Sequence, residues 1–395
     1  MDIQSIFAVL FIIFLSLFIL VKRKKMQFQK ILTPFIYFAM YKTKLGLKLM
    51  DSIAKKFSKP LKYIGYLGIM VGFIGIGFLG WSLVSNIHNL LTLPSAPAGV
   101  GIIQPFKAGV KGTVYVPFFY FIISIFVLAI VHEFSHGIMA RLHGIEIKSS
   151  GFAFLGVLVP IIPAAFVEPD EEKLKEKDRK AQLSIFAAGP FANILLAFVV
   201  LLFSWAIAAP IANSVTEFDG VLITGLMEGE EYPAEQAGIS EGEVITNVND
   251  MPITTVADLS KALEGKSPGE TVSLATNKTG YSLTLAPDPK NESKPYLGVY
   301  IRDNIKIKES FIQKYGSITP KVLFWFFGLL SWLFILNLGI GIFNLIPIGP
   351  IDGGRMMHVT LEKFFEKEKA KKIWKSISFL FLMLVITNFV IVFIK

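Results

Sequence analysis

The sequence contains several apolar blocks that are long enough to cross a lipid bilayer. Each runs for about 18 residues or more with few or no charges, which suffices to cross roughly 30 Å of hydrocarbon. Only 17% of the 395 residues are charged, whereas soluble chains carry about a quarter. We therefore expect a polytopic α-helical membrane protein. Its six spans are predicted near residues 3–21, 62–85, 117–142, 182–209, 319–346 and 373–394.

The distribution of lysine and arginine predicts how these spans are oriented in the cell membrane. Between Lys22 and Lys62 twelve residues are basic and one, Asp51, is acidic. Because basic residues accumulate in short cytoplasmic loops, we expect this loop inside, with residues 31–50 lying along the membrane surface. The loop 86–116 carries two lysines and is expected outside. Alternation over six spans then places both termini outside.

The composition changes between the fourth and fifth spans. Residues 210–316 carry nine basic and sixteen acidic residues, a net of −7, although the whole chain has a net charge of +9. Segments such as "EVITNVN" and "TVSLAT" alternate as strands do, and "TVADLSKALEG" has helical spacing that ends on a glycine. We predict an extramembrane α+β domain at 212–305, flanked by membrane domains at 1–211 and 316–395.

The segment "VHEFSHG", residues 131–137, places three ionisable residues at the end of an apolar run. Positions i and i+4 of a helix share a face, so His132 and His136 can hold one metal ion. Glu133 would lie near the open side of that metal, where it could take a proton from water. Ionisable residues inside a membrane are costly and by default mark a functional site.

A catalytic zinc ion needs a third protein ligand besides the two histidines. A metzincin would need Gly and His at the positions of Met139 and Leu142, and His143 is one residue out of place. A thermolysin-type ligand would be a Glu on a following helix. Glu168, which precedes a proline in an irregular stretch, is a weak candidate for that role.

The stronger candidate for the third ligand is Asp352 in "FNLIPIGPIDGGRM", residues 343–356. Prolines and glycines interrupt a span there, and irregular backbone at membrane depth needs protein or a watery cavity around it. The alternative is that Asp352 caps a short helix beginning at Gly353. With the histidine motif present, we favour the ligand. Both histidines and Asp352 are expected near the cytoplasmic side of the bilayer.

Three segments resemble the motifs of the site-2 protease family of intramembrane zinc metalloproteases. They are "VHEFSHG", "AAGPFANILLA" in the fourth span and "NLIPIGPIDGGR". The resemblance implies Zn²⁺ held by His132, His136 and Asp352, with Glu133 as the catalytic acid and base. It also implies cleavage of the transmembrane segments of membrane-protein substrates. Ile351 stands where the family usually has Leu.

Asn193 and the segment 145–169 are further candidates for a role in catalysis. Asn193 is an amide in mid-span, where an unpaired amide is costly. It would either donate to the oxyanion of the tetrahedral intermediate or form an interhelical hydrogen bond. The resemblance also implies a membrane-embedded β element at residues 145–169. Their strand-like alternation agrees with this, and an exposed edge could bind an unwound substrate as an added strand. The alternative is an interfacial loop.

The stretch "PAEQAGISEGEVITNVNDMPI", residues 233–253, resembles the ligand-groove region of a PDZ domain. Such a domain binds peptide or protein termini by strand addition, with "YLGV" at 296–299 as its candidate loop, or it acts as a size filter.

For the whole protein we expect transmembrane protein substrates and the lipid bilayer as partners, and no nucleic acid. Two other functions are alternatives to a protease. One is a proton- or ion-coupled transporter built on the same ionisable residues, and the other is a catalytically inactive PDZ scaffold.

Overall fold

Six long apolar helices dominate the computed structural model, which describes residues 3–32, 36–93, 99, 101–105, 112–157, 159–227, 232–289 and 291–394. Each of the six is long and apolar enough to cross a membrane, and each coincides with one predicted span. The predicted fold class is therefore confirmed. Lys107 and Lys111 of the loop 86–116 lie outside the described residues.

The helices and strands are numbered along the chain. The helices are α1 Ile3–Lys22, α2 Leu47–Lys56, α3 Ser58–Thr92, α4 Phe118–Leu142, α5 Glu171–Glu176, α6 Arg179–Phe203, α7 Ala209–Val215, α8 Pro233–Gln236, α9 Val256–Leu263, α10 Glu309–Tyr315, α11 Ile318–Phe343, α12 Asp352–Phe364 and α13 Lys367–Ile394. The strands are β1 Met26–Leu32, β2 Ile36–Thr43, β3 Ile102–Gln104, β4 Thr113–Tyr115, β5 Ile147–Val157, β6 Val159–Pro169, β7 Thr216–Leu226, β8 Val244–Val248, β9 Met251–Pro252, β10 Thr271–Thr276, β11 Gly280–Thr284, β12 Ala286–Asp288, β13 Asn291–Tyr296 and β14 Val299–Ile307.

The chain divides into two compact units. The first comprises Met1–Ser204 and Phe327–Lys395, and the second comprises Trp205–Phe326. In the first unit, α4 packs against α6, and α12 packs against both α6 and α13. The side chains of Met139, Phe186 and Met356 belong to one hydrophobic core, and each of these three residues is at most 4% exposed. This core fixes α4, α6 and α12 relative to one another.

A four-stranded antiparallel sheet completes the first unit, in the order β1-β2-β5-β6. The hairpin of β5 and β6 is the β element predicted at 145–169. The segment 31–50 was predicted only to lie along the membrane surface, but the structure folds 36–43 into strand β2, which pairs with β5 over its whole length. Strand β6 is the edge strand on the side of α4, against which it packs.

The second unit is α+β, as predicted for an extramembrane domain. Its main sheet has the order β11-β10-β8-β7-β14, with β9 paired to β8. Helix α9 begins with a capping box. The side chain of Thr255 accepts the backbone N–H of Asp258, and the side chain of Asp258 accepts the backbone N–H of Thr255. The core is formed by buried apolar residues such as Val221, Ile245 and Leu259.

Candidate metal centre

Helix α4 presents the two histidines on one face, one turn apart. The Nε2 atoms of His132 and His136 lie 3.1 Å from each other, and the ring centroids are 4.7 Å apart. His132 is only 8% exposed. Side chains at i and i+4 of a helix are neighbours, so the local helical geometry alone is enough to bring the two imidazoles together.

Asp352 is the first residue of α12 and turns its carboxylate to both histidines. Its Oδ2 lies 3.1 Å from Nε2 of His132 and 3.3 Å from Nε2 of His136. The capping alternative does not describe this side chain, because the N-cap residue of α12 is Ile351 and no side-chain cap hydrogen bond is present there. The chain thus uses Asp352 to join α12 to α4.

Two glycines allow the turn before α12 to fold tightly enough to place this carboxylate. A Cβ atom on Gly353 would collide with the backbone carbonyl of Leu345, and one on Gly354 would collide with that of Ile348. The backbone N–H of Gly353 donates to the carbonyl of Asn344 at 2.9 Å. The Gly-Gly pair after Asp352 is therefore required by close packing of the backbone.

The three ligand atoms fit a zinc ion by geometry and by chemistry. They all lie within 4.8 Å of one another, and among the described residues this is the one such group of His, Asp or Glu side chains. Zinc bonds of about 2.0–2.1 Å in a tetrahedron separate neighbouring ligand atoms by about 3.3 Å. The three observed separations, 3.1, 3.1 and 3.3 Å, match three corners and leave the fourth for water or substrate.

Helix α6 packs against both imidazoles. The Nδ1–H of His136 donates to the carbonyl oxygen of Ile185 at 2.6 Å, and the amide of Asn193 lies 3.2 Å from Nδ1 of His132. Between them, a Cβ on Gly189 would collide with the Nε2 atoms of both histidines. Such outer hydrogen bonds orient metal-binding histidines and fix their tautomers.

Glu133 lies beside the three ligands in one cavity of about 400 Å³. Its Oε2 accepts the backbone N–H of Val167 at 3.0 Å, which ties this carboxylate to the edge of strand β6. The same cavity is lined by His132, His136 and Asp352. The predicted acid and base therefore shares a polar space with the predicted metal ligands.

Two polar residues that the sequence reasoning did not single out also line this cavity. One is Asn344, at the start of the turn after α11. The other is Arg355, whose Nη2 lies 2.8 Å from both carboxylate oxygens of Glu171 and whose guanidinium lies 4.2 Å from the ring centroid of Phe186. Both stand in the quoted motif "NLIPIGPIDGGR", so their proximity to Asp352 in the sequence was the available signal.

The weaker candidates lie elsewhere. Glu168 accepts hydrogen bonds from Lys42 at 2.6 Å and from Ser149 at 2.5 Å, and it is not part of the metal-binding group. His143 lies 2.9 Å from the hydroxyl of Ser184. Neither residue belongs to the group of His132, His136 and Asp352, whose side chains are positioned to bind a metal ion.

The chain matches the family profile described as Peptidase family M50 over residues 120–385, well over half of its length. It is 27% identical over 346 residues to an uncharacterized protein of Methanocaldococcus jannaschii, covering 84% of this chain and 80% of that one. It is also 27% identical over 258 residues to the zinc metalloprotease RasP of Shouchella clausii, covering 54% of this chain and 58% of RasP.

Among solved structures, the PDZ domain of an SdrC-like protein from Listeria monocytogenes matches with 20% identity and a TM-score of 0.19. The match covers 21% of this chain and 88% of that domain.

Proposed function

The chain belongs to peptidase family M50, and we propose that this multi-pass membrane metalloprotease is an intramembrane endopeptidase of the site-2 type. The observation that supports it best is that His132, His136 and Asp352 form three corners of a zinc tetrahedron, with Glu133 in the same cavity. The two histidines and Glu133 belong to the apolar helix α4, and Asp352 is the first residue of α12. Its substrates would be transmembrane segments of other membrane proteins.

The proposed mechanism assigns a separate task to each residue. His132, His136 and Asp352 would hold zinc, which when bound supplies a Lewis acid that acidifies water and polarises the scissile carbonyl. Glu133 takes the proton from the attacking water and returns it to the leaving amine. The hydrogen bond from Val167 to Glu133 fixes one carboxylate oxygen, which orients the carboxylate for both transfers.

The edge of strand β6 next to Glu133 is the proposed binding surface for substrate. Val167 donates its N–H to Glu133 and not to β5, so Val167 and every second residue before it direct their backbone groups away from the sheet. Ala165 has the same orientation, and Pro163 and Pro169, which lack an N–H, bracket the pair. An unwound substrate segment would add here as a short strand whose scissile amide lies beside Glu133.

The orientation in the membrane follows from charge. Twelve basic residues between Lys22 and Lys62 favour a cytoplasmic position for that loop, so both termini and the extramembrane unit would lie outside and the metal centre near the cytoplasmic side.

We propose that residues 212–305 form a PDZ-like domain. It would either bind the ends of substrates or exclude substrates with bulky outer parts.

Proteolysis in detergent tests the proposed function. A model membrane-spanning substrate is incubated with wild-type protein and with Glu133→Gln, and the zinc content of both is measured. We expect Glu133→Gln to retain zinc and to lose about 10²–10⁴-fold in cleavage rate, because general acid–base catalysis contributes about that much. Glu146→Gln is the control, since this carboxylate is 62% exposed and pairs with Lys173.

Two results would overturn the proposal. Cleavage by Glu133→Gln at the rate of wild type would exclude Glu133 as the acid and base. Wild-type protein without zinc would favour the transporter alternative, in which the same ionisable residues relay protons and hold no metal.

A further inference from the structure

Asn193 is buried where a substrate cannot reach it. The residue is 0% exposed, and it is absent from the lining of the cavity that contains Glu133 and the three ligands. Its amide lies 3.2 Å from Nδ1 of His132, on the side of the ring opposite Nε2. An oxyanion donor must lie about 2.7–3.1 Å from the developing charge, so this position does not suit that role.

The amide faces an imidazole that must carry its proton on a defined nitrogen. In the structure Nδ2 of Asn193 faces Nδ1 of His132, which suits the tautomer with its proton on Nε2, where the carboxylate of Asp352 accepts it at 3.1 Å. Oδ1 of Asn193 is buried and has no hydrogen-bond partner among the described residues. A buried acceptor without a donor is costly, and this oxygen is free to accept a hydrogen bond next to the ring.

Binding of a metal through Nε2 requires the other tautomer. A neutral imidazole that binds zinc through Nε2 keeps its proton on Nδ1 and needs an acceptor there. The two ends of an amide have nearly the same shape, so a half-turn of the Asn193 side chain would put Oδ1 where Nδ2 lies. Asparagine can therefore pair with His132 in either tautomer.

We propose that Asn193 is a positioning residue for His132: its side-chain amide pairs with Nδ1 of the ring and accepts the Nδ1 proton when Nε2 binds a metal ion. The inference rests on the proposed function, because it assumes a metal ion on Nε2. Helix α6 would then orient both histidines, since the carbonyl of Ile185 already accepts the Nδ1–H of His136. Ile185, Gly189 and Asn193 are spaced by four residues and so lie on one face of α6.

Two substitutions separate the possible roles of Asn193 because they remove different atoms. Asn193→Leu removes both donor and acceptor at similar volume, and Asn193→Asp keeps the acceptor and removes the donor. Zinc affinity is measured by competition with a chelator on the full-length protein in detergent. We expect Asn193→Leu to bind zinc about 10–100-fold more weakly, the usual effect of losing such an outer hydrogen bond, and Asn193→Asp to bind at least as tightly as wild type.

Asn337→Leu is the matched control. Asn337 is also 0% exposed, belongs to the apolar helix α11, and donates its amide N–H to the carbonyl of Leu333 in the same helix. We expect its zinc affinity to equal that of wild type. Asn193→Ala repeats the test with a smaller side chain, and thermal unfolding of each variant shows whether it is folded.

The alternative roles predict different results. If Asn193 donates to the oxyanion, Asn193→Asp binds zinc normally but loses about 10²–10³-fold in cleavage rate at saturating zinc, which would overturn the inference. Equal zinc affinity of wild type and Asn193→Leu would also overturn it. Neither result would affect the proposed function, which fails only if the wild type holds no zinc or if Glu133→Gln still cleaves.

Discussion

Glu243 in the second unit and Asp352 in the first are both shielded from most of the solvent, the Asp352 side chain being 14% exposed, and their surroundings differ in kind. Glu243, in the second unit, is 1% exposed. It accepts hydrogen bonds from the hydroxyls of Thr276 and Tyr281, at 2.7 and 3.0 Å, and from the backbone N–H of Ser240 at 3.1 Å. Burial alone would raise the pKa of Glu243, but these hydrogen bonds hold the pKa below its ordinary value.

Asp352, in the first unit, meets two imidazole nitrogens at 3.1 and 3.3 Å instead. Among the described hydrogen bonds none brings a hydroxyl or backbone N–H to this carboxylate. It also lines a cavity. A carboxylate with three hydroxyl or backbone N–H donors, and with Nζ of Lys278 3.6 Å away as Glu243 has, is stable without further partners, whereas one that faces two other ligand atoms is stabilised by a cation between them. Burial therefore does not identify the functional carboxylate, but the atoms around it do.

Replacing each carboxylate by its amide should affect a different property, zinc binding for Asp352 and the stability of the second unit for Glu243. Asp352→Asn removes a charged ligand and should weaken zinc binding by more than about 100-fold, the upper range for outer-shell changes, and abolish cleavage. It should leave the stability of the second unit unchanged. Zinc competition and proteolysis measure this effect, with Glu243→Gln as the counterpart expected to keep zinc. Zinc affinity unchanged in Asp352→Asn would remove the contrast between the carboxylates.

Two helix glycines sharpen the comparison further, because only one of them lies at the metal centre. Gly189→Ala would place a methyl group against the Nε2 atoms of His132 and His136, so we expect zinc affinity to fall by about 10–100-fold. Gly77→Ala is the control, since a Cβ there meets no atom within 4 Å, and alanine favours a helix by up to about 1 kcal/mol. Equal zinc affinity of the two variants would show that α6 can move away from the histidines.

Local sequence patterns predicted the spans and the histidine pair. Helix α4 follows from one apolar run, and the 3.1 Å separation of the two Nε2 atoms follows from the spacing of His132 and His136 within it. The third ligand needed a longer argument. Asp352 was singled out because prolines and glycines interrupt an apolar span, and the structure shows the carboxylate turned to both histidines.

Contacts between distant parts of the chain could not be predicted in the same way. Strand β2 pairs with β5 across more than one hundred residues, and its basic, apolar sequence also fits a segment on the membrane surface. The ion pair of Arg355 with Glu171 depends on how α12 meets α5. The hydrogen bond of Asn193 to His132 was one of two predicted possibilities, since a sequence does not show which atom a buried amide faces.

The smallest expected effect concerns the stability of the second unit at acidic pH. Because the pKa of Glu243 is lower in the folded state than its ordinary value of 4.5, its contribution is complete above that value and is lost as the pH falls through the folded-state pKa. Glu243→Gln should destabilise the unit by about 1–3 kcal/mol at neutral pH. It should also remove this part of the pH dependence.

Hydrogen exchange of β8 and β10 in the full-length protein, corrected for intrinsic rates, measures this stability between pH 7 and pH 3.5. Glu241→Gln is the matched control, because Glu241 is exposed and lies two positions before Glu243. Equal acid sensitivity of wild type and Glu243→Gln would show that the hydrogen bonds of this carboxylate do not stabilise its charged form. The contrast between a satisfied and an unsatisfied carboxylate would then be wrong.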